Sequence, residues 1–201
     1  IWKETYKGSS DVAAVFCGLA QVSEAALIGT ELGFQVVYQP TSTSPVSTLT
    51  SLNTVTVKEP GIEIPSVKAL AVSNPSGLSP VKVSINAGND FIDIGFANSA
   101  PNSLFASGFR NSYIFTFDSA APPTISSAFV DPSLTTLGLT NSDLRFSGNK
   151  LEVNVHGLSF NPSTFARIDL TSLNPVPLPA AVWLFGAGLL GVGALAKRKH
   201  S

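Results

Sequence analysis

The central part of the chain alternates between apolar and polar residues with a period of two. In Val81–Ile85, for example, Lys82 and Ser84 separate three apolar residues. Successive side chains of a strand point to opposite faces, so this pattern predicts strands with one buried face. The segments that we expect to be strands are Leu32–Tyr38, Ser47–Val57, Val81–Ile85, Phe91–Phe96, Tyr113–Phe117, Ile125–Val130, Leu144–Phe146, Leu151–Val155 and Phe165–Leu170.

Turn-forming residues separate these segments. Ser147–Lys150 (SGNK) is the best hairpin signal, because a glycine stands between two alternating runs. About nine short strands without a strand–helix–strand rhythm predict a mainly β chain, with an antiparallel β-sandwich-like domain over residues 32–172. Residues 1–31 combine helical spacing with unfavourable glycines, and we expect a short helix or an irregular segment that belongs to the same body.

An uncharged segment, Ala180–Ala196, follows near the C-terminus and contains thirteen apolar residues and four glycines. A helix from Pro179 to Ala196 would be about 27 Å long, close to the ~30 Å hydrocarbon core of a bilayer. A segment that is apolar on all faces and ends in basic residues favours a transmembrane helix over a buried core helix. The proline-rich residues 173–179 predict a stiff linker before it.

Three basic residues, Lys197, Arg198 and Lys199, follow this segment. The whole chain has a net charge of −1. Without these three, nine basic residues stand against thirteen acidic ones, so residues 1–196 carry about −4. Because basic residues beside a span stay on the cytoplasmic side, we expect residues 197–201 to be cytoplasmic and the body to be periplasmic. Export of such a body needs a signal, and since the chain begins at Ile1 rather than Met, we expect a removed signal peptide.

Overall composition excludes several classes of protein. Hydrophobic residues make up 44% and charged residues 12%, which argues against intrinsic disorder. The small net charge argues against a nucleic-acid-binding protein, which would show a basic excess. The single cysteine, Cys17, excludes an intramolecular disulfide and any site built from several cysteines.

Candidate catalytic and metal-binding residues are few. His156 follows a predicted strand in which Glu152 and Asn154 share the solvent-facing side, and with no G-x-S-x-G elbow it is predicted to be a surface residue. Asp90 and Asp93 could offer oxygens to calcium, but in a strand they would point to opposite faces, so a turn that enters a strand is favoured. The sequence therefore predicts a protein without enzymatic activity, cofactor or metal.

A motif of Val176, Pro177, Leu178, Pro179 and Ala180 is followed by the apolar segment and the basic end. This C-terminal tail resembles the PEP-CTERM sorting signals, most closely the VPLPA-CTERM variant. The resemblance implies export by a gram-negative bacterium and retention in the inner membrane through the tail. It also implies processing by a membrane protease of the exosortase type, and a role in the envelope, extracellular matrix or biofilm.

Two functions fit these features. The main hypothesis is a membrane-anchored, periplasm-facing structural protein, in its sharper form an accessory or scaffold subunit of a respiratory or photosynthetic membrane complex. The small residues that would then let the span approach other membrane helices closely are Gly186, Ala187, Gly191, Gly193 and Ala194, although glycine is also common in this type of tail. The alternative is an exosortase-sorted envelope or matrix protein that binds polysaccharide or other surface proteins, which exposed aromatic residues would favour.

Overall fold

The computed structural model describes residues 23–24, 27–117 and 124–173. In these ranges the chain forms thirteen β-strands and two short 3-10 helices, the latter at Val67–Leu70 and Asn141–Asp143. The strands are β1 (Ser23–Glu24), β2 (Glu31–Gln39), β3 (Ser47–Thr48), β4 (Asn53–Thr56), β5 (Ser84–Ala87), β6 (Phe91–Gly95), β7 (Ser103–Leu104), β8 (Arg110–Phe117), β9 (Thr124–Val130), β10 (Leu144–Ser147), β11 (Lys150–Asn154), β12 (Ser159–Phe160) and β13 (Phe165–Leu173).

Two antiparallel sheets contain most of these strands. In the first sheet β13 pairs with β1, β6 and β9, and β6 pairs in turn with β5. The second sheet has the order β10, β11, β8, β2, and both β3 and β4 pair with β2. β7 and β12 form a separate two-stranded ladder. The prediction of a mainly β, antiparallel body is confirmed.

The two sheets share one hydrophobic core. Phe34, Phe115 and Leu151 from the second sheet are fully buried, as are Ile94 and Ile168 from the first, and all belong to the same cluster. Burial of a side chain of this size contributes roughly 1.5–3 kcal/mol to folding. A core shared by two antiparallel sheets is consistent with the predicted β-sandwich-like arrangement.

The predicted hairpin at Ser147–Lys150 is present. Ser147 pairs with Lys150 across the β10–β11 ladder, and Gly148 has a φ of 60°. A glycine with positive φ at the first of two turn residues is typical of a type II′ turn, whose twist matches that of the flanking strands.

The predicted strand Ser47–Val57 is instead two short strands, β3 and β4. Between them lies Thr50, which is fully buried, and the backbone N–H of Val36 donates to its Oγ1 at 2.9 Å. A hydroxyl group thus replaces a backbone carbonyl as the acceptor for β2. The ladder is interrupted at this point because the side chain takes the position of the partner strand.

The strand predicted at Val81–Ile85 begins only at Ser84. Before it, the N–H of Val83 donates to the carbonyl of Val81 at 3.0 Å, and the carbonyl of Val83 accepts from Val67 at 2.9 Å. These local and loop contacts replace pairing with a neighbouring strand. The alternation in burial nevertheless persists, since Val83 and Ile85 are both buried.

Several sequence predictions lie outside the described residues. They concern the segment before residue 23, the linker from residue 174 onward, the apolar segment Ala180–Ala196 and the basic end. Among the residues that the structure does describe, none form a helix with the length and apolar character needed to cross a bilayer.

Tyr113 provides a test of the core. Its side chain is buried, its hydroxyl has no hydrogen-bond partner among the described residues, and burial raises the pKa of the phenol well above its usual range. Removal of an unpartnered buried hydroxyl relieves a desolvation penalty, so Tyr113→Phe should raise the free energy of unfolding by about 1 kcal/mol, measured by urea denaturation. The matched control is Tyr38→Phe, which removes a hydroxyl that donates to the carbonyl of Ser107 at 2.9 Å and should give no gain. A loss of stability in Tyr113→Phe would contradict this account of the core.

Candidate functional site

A partly buried ion pair lies on the outer face of the first sheet. Arg167 and Asp93 are cross-strand partners of β13 and β6, and the guanidinium donates twice to the carboxylate, with Nε–Oδ1 and Nη2–Oδ2 distances of 2.7 Å. Asp93 is only 8% exposed. The ring of Phe91 lies beneath the guanidinium, with its centroid 4.0 Å from Cζ. These contacts raise the pKa of Arg167 above its usual range, chiefly through the hydrogen bonds to Asp93.

This ion pair involves one of the two carboxylates, Asp90 and Asp93, that could offer oxygens to calcium. The carboxylate of Asp93 is occupied by Arg167, and Asp90 lies in the turn that connects β5 to β6, where its carbonyl accepts from Leu170 at 2.7 Å. Within residues 23–24, 27–117 and 124–173, no three His, Cys, Asp or Glu side chains are grouped so as to hold a metal ion. The segment is the turn before a strand that the sequence favoured.

Two further carboxylates beside Arg167 have opposite electrostatic surroundings. Burial raises the pKa of Asp169, and the nearby charge of Asp131 raises it further. The pKa of Asp131 is lowered, chiefly because its Oδ1 accepts from the hydroxyl of Ser133 at 2.6 Å and from its backbone N–H at 2.8 Å. Ionised Asp169 therefore destabilises the fold, whereas ionised Asp131 stabilises it.

The outer face of the second sheet carries a polar cleft of about 140 Å³, which we call the Phe109 cleft. It lies where the N-terminal end of β8 meets β10 and β11. The residues that line it are Phe109, Arg110, Ser142, Asp143, Arg145, Glu152 and Asn154. It therefore combines an aromatic ring, two guanidinium groups, two carboxylates, a hydroxyl and an amide.

Gly108 positions the aromatic ring of this cleft. A Cβ atom at residue 108 would lie 2.9 Å from the carbonyl oxygen of Gln39, so only glycine lets the loop pass this close to the end of β2. The N–H of Phe109 then donates to the carbonyl of Pro40 at 3.0 Å. Phe109 itself remains 51% exposed at the cleft.

Glu152 is fixed from two sides. Its Oε1 forms an ion pair with Arg110, 2.5 Å from Nε, where the angle does not meet that of a hydrogen bond, and it accepts from the hydroxyl of Ser112 at 2.7 Å. In the described part of the chain its Oε2 has no hydrogen-bond partner. The neighbouring Asn154 accepts from the N–H of Asn111 through Oδ1 at 3.0 Å, which leaves its amide nitrogen as a donor.

Asp143 is also fixed by local structure. It closes the capping box of the second 3-10 helix, where its Oδ2 accepts from the N–H and the hydroxyl of Thr140, both at 2.8 Å. This arrangement holds the carboxylate of Asp143 in place through Oδ2. Three polar side chains of the cleft, Asp143, Glu152 and Asn154, are thus positioned by backbone or side-chain contacts.

A second depression of about 470 Å³, the Gly33 groove, lies on the same face. A row of cross-strand partners crosses its floor: Lys150 pairs with Thr116, Thr116 with Gly33, and Gly33 with Thr54. The groove also reaches Ile114, which is the cross-strand partner of Glu152 in the Phe109 cleft. The cleft and the groove therefore adjoin on one face of the sheet.

The remaining sequence candidate, His156, lines neither depression. It is exposed in the turn after β11, where its backbone N–H donates to Oδ1 of Asn154 at 3.4 Å, and it does not line the cleft. Sequence reasoning noted the shared face of Glu152 and Asn154 but missed Phe109, Arg110 and Arg145. These residues occupy outward-facing positions on or beside β8 and β10. That they lie close together can be recognised only once the pairing of the strands is known.

Comparison with known proteins identifies the tail. Residues 175–199 match the PEP-CTERM protein-sorting motif. The tail is a PEP-CTERM sorting signal. The match contains Val176–Ala180, the apolar segment and the three basic residues, and it confirms the resemblance seen in the sequence. No curated protein and no solved structure matches the chain.

The ion pair of the first sheet predicts a large effect on stability. Asp93→Asn leaves the guanidinium of Arg167 without its charged partner and should lower the free energy of unfolding by about 2 kcal/mol in urea denaturation. The double variant Asp93→Leu with Arg167→Leu removes both charges and should lose less than the sum of the two single leucine changes. Additive losses would contradict the pairing.

The carboxylates beside Arg167 predict opposite pH effects. The folded state binds the proton of Asp169 more tightly than the unfolded chain does, so Asp169→Asn should raise stability at pH 7. That gain should shrink as the pH falls toward the ordinary aspartate pKa of 3.8. Asp131→Asn should lower stability at pH 7, and this loss should vanish as the pH falls through the lowered pKa of Asp131. Thermal unfolding from pH 3 to 7 measures both, and effects of the same sign would refute this assignment.

Proposed function

We propose that this protein is an exosortase-sorted envelope or matrix protein whose β-rich body acts outside the cytoplasm without enzymatic activity. The observation that carries the proposal is the sorting motif at residues 175–199. A signal of this type implies insertion in the membrane followed by processing. The tail would therefore direct sorting, and the body would be the part that acts afterwards.

The proposed topology is a single span in the inner membrane of a gram-negative bacterium. Ala180–Ala196 would cross the bilayer as a helix, since its apolar length suits the hydrocarbon core. Lys197–Lys199 would remain in the cytoplasm, because basic residues beside a span resist translocation. The β-rich body would then lie in the periplasm before the tail is processed.

The sorting motif favours this function over a permanent subunit of a respiratory or photosynthetic complex. A sorting tail holds its protein in the membrane for processing, whereas a subunit needs a retained span that packs against foreign helices. Gly186, Gly191 and Ala194 are then residues of a transient anchor. The lipid bilayer and an exosortase-type protease are the partners that this function requires.

The body supports a binding role. In the Phe109 cleft, charged groups are held by neighbours at 2.5–2.8 Å, while an aromatic ring and several polar atoms face solvent. Fixed polar groups beside an exposed apolar surface are typical of ligand sites. Polysaccharide or other surface proteins are the ligands that an envelope or matrix protein would meet.

Processing of the tail tests this proposal. The full chain with an export signal is expressed in a gram-negative host that has an exosortase-type protease and in the same host lacking it. With the protease, mass spectrometry should show loss of the peptide that ends at Ser201, and the body should leave the inner-membrane fraction. Pro177→Ala combined with Pro179→Ala alters the motif and should leave the tail attached.

The matched control is Asn174→Ala, which changes the linker outside the motif and should leave processing unaffected. An intact Ser201 in the presence of the protease, together with co-purifying membrane helices, would contradict the proposal. That outcome would support the membrane-complex subunit instead.

A further inference from the structure

We propose that the outer face of the second sheet binds an extended, uncharged polysaccharide, and that the Phe109 cleft is its principal sugar subsite. This inference names a ligand for the proposed envelope function and rests on it. It is carried by the chemistry of the cleft, the charge balance of its lining and the continuity of the cleft with the Gly33 groove.

The lining of the Phe109 cleft matches the two surfaces of a pyranose ring. One face of such a ring is a patch of C–H groups, which packs on an aromatic ring, and Phe109 presents a half-exposed ring at the cleft. The rim of a pyranose carries hydroxyls, each of which both donates and accepts. The groups in the described residues that remain available to them are Glu152 Oε2, Asp143 Oδ1, the amide nitrogen of Asn154 and the guanidinium groups of Arg110 and Arg145.

Preorganisation favours such a ligand. The pair formed by Arg110 and Glu152 is already made at 2.5 Å, and Ser112 holds the same carboxylate at 2.7 Å. A sugar hydroxyl can therefore bind between a fixed donor and a fixed acceptor without ordering either group. Binding that orders few side chains loses less conformational entropy.

The charge balance of the cleft favours an uncharged ligand. Two cations, Arg110 and Arg145, stand against two anions, Asp143 and Glu152. A uronate or phosphate in this space would meet two fixed carboxylates as well as two guanidinium groups. A neutral sugar makes hydrogen bonds to both kinds of group and suffers no net repulsion.

The Gly33 groove extends the surface beyond one sugar ring. The row Lys150, Thr116, Gly33, Thr54 crosses four strands, and three strand spacings amount to about 14 Å. Gly33 contributes no side chain, so the floor stays open, while threonine hydroxyls and the Lys150 ammonium supply hydrogen bonds. The contact with the cleft through Ile114 and Glu152 makes one continuous path for a chain.

The direction of the groove distinguishes a glycan from a peptide. Peptides commonly bind by adding a strand to a free sheet edge, where unpaired backbone groups give the affinity. Here the row runs across the strands, and β8 and β2 pair on both sides, so their backbone groups are already used. A ligand in the groove must therefore bind through side chains, as a polyhydroxylated chain does.

Calorimetry with the full chain in detergent micelles tests this surface. The probes are linear hexasaccharides of neutral glucose with β-1,3, β-1,4 and α-1,4 linkages, and a hexauronate as the charged comparison. At least one neutral hexasaccharide should bind, and the hexauronate should bind more weakly. Phe109→Ala should weaken binding by about tenfold, since an aromatic anchor at the centre of a site carries much of its affinity.

The structure offers a matched control for the aromatic anchor. Phe129 is 40% exposed on the other sheet, so Phe129→Ala removes a ring of similar exposure and should leave binding unchanged. Phe109→Tyr keeps the aromatic face and should retain binding, which separates loss of the ring from loss of the fold. Equal effects of Phe109→Ala and Phe129→Ala would overturn the proposal.

Other outcomes would also refute the proposed polysaccharide-binding surface. Absence of binding by all neutral probes, or preference for the hexauronate, would overturn it, as would binding of an unstructured peptide library in its place. Because binding is measured on the uncleaved chain, it is independent of tail processing. A chain that is processed but binds no glycan refutes only this site, and a chain that binds but is not processed refutes only the sorting function.

Discussion

The arrangement of the body depends on one core shared by two antiparallel sheets. Phe34, Phe115 and Leu151 of one sheet and Ile94 and Ile168 of the other are removed from water together. Since successive side chains of a strand point to opposite faces, burial of these residues also fixes which residues face solvent. The outer faces, where the ion pair, the cleft and the groove lie, are therefore consequences of how the core is filled.

The two outer faces differ in how their side chains are arranged. On the first sheet, Asp93 and Arg167 form a two-hydrogen-bond pair over Phe91, and this pairing joins β6 to β13 beyond their backbone ladder. On the second sheet, the polar residues surround open space above Gly33, which contributes no side chain. One face is closed by its own contacts, and the other carries the surface that we propose as a binding site.

The tail and the body carry separate parts of the proposed function. A sorting signal acts through its motif, its apolar length and its basic end, so it places no demand on the fold that precedes it. The body contributes a surface whose fixed charges and exposed ring remain in place after the tail has been processed. Delivery and recognition can therefore be altered independently, by changes at Pro177 or at Phe109 respectively.

The β-rich character of the body, the SGNK hairpin and the sorting tail could all be predicted from the amino-acid sequence. All three are local: a period of two, a glycine between two alternating runs, and a contiguous apolar segment with its motif can each be recognised along the chain. The same local reasoning placed β2, β8, β11 and β13 close to their observed bounds. It was wrong where a side chain or a loop replaced a strand partner, as at Thr50 and Val83.

Which outward-facing residues contact one another depends on the packing of distant strands. Asp93 and Arg167 are 74 positions apart, and Ser112 and Glu152 are 40 apart, so neither pair leaves a signal in the spacing of the chain. Their contact depends on strand order and register, which are set when distant strands bury their apolar faces together. The exposure of Phe109 has the same origin, because whether a phenylalanine fills the core or faces solvent depends on the space that the packed sheets leave for it.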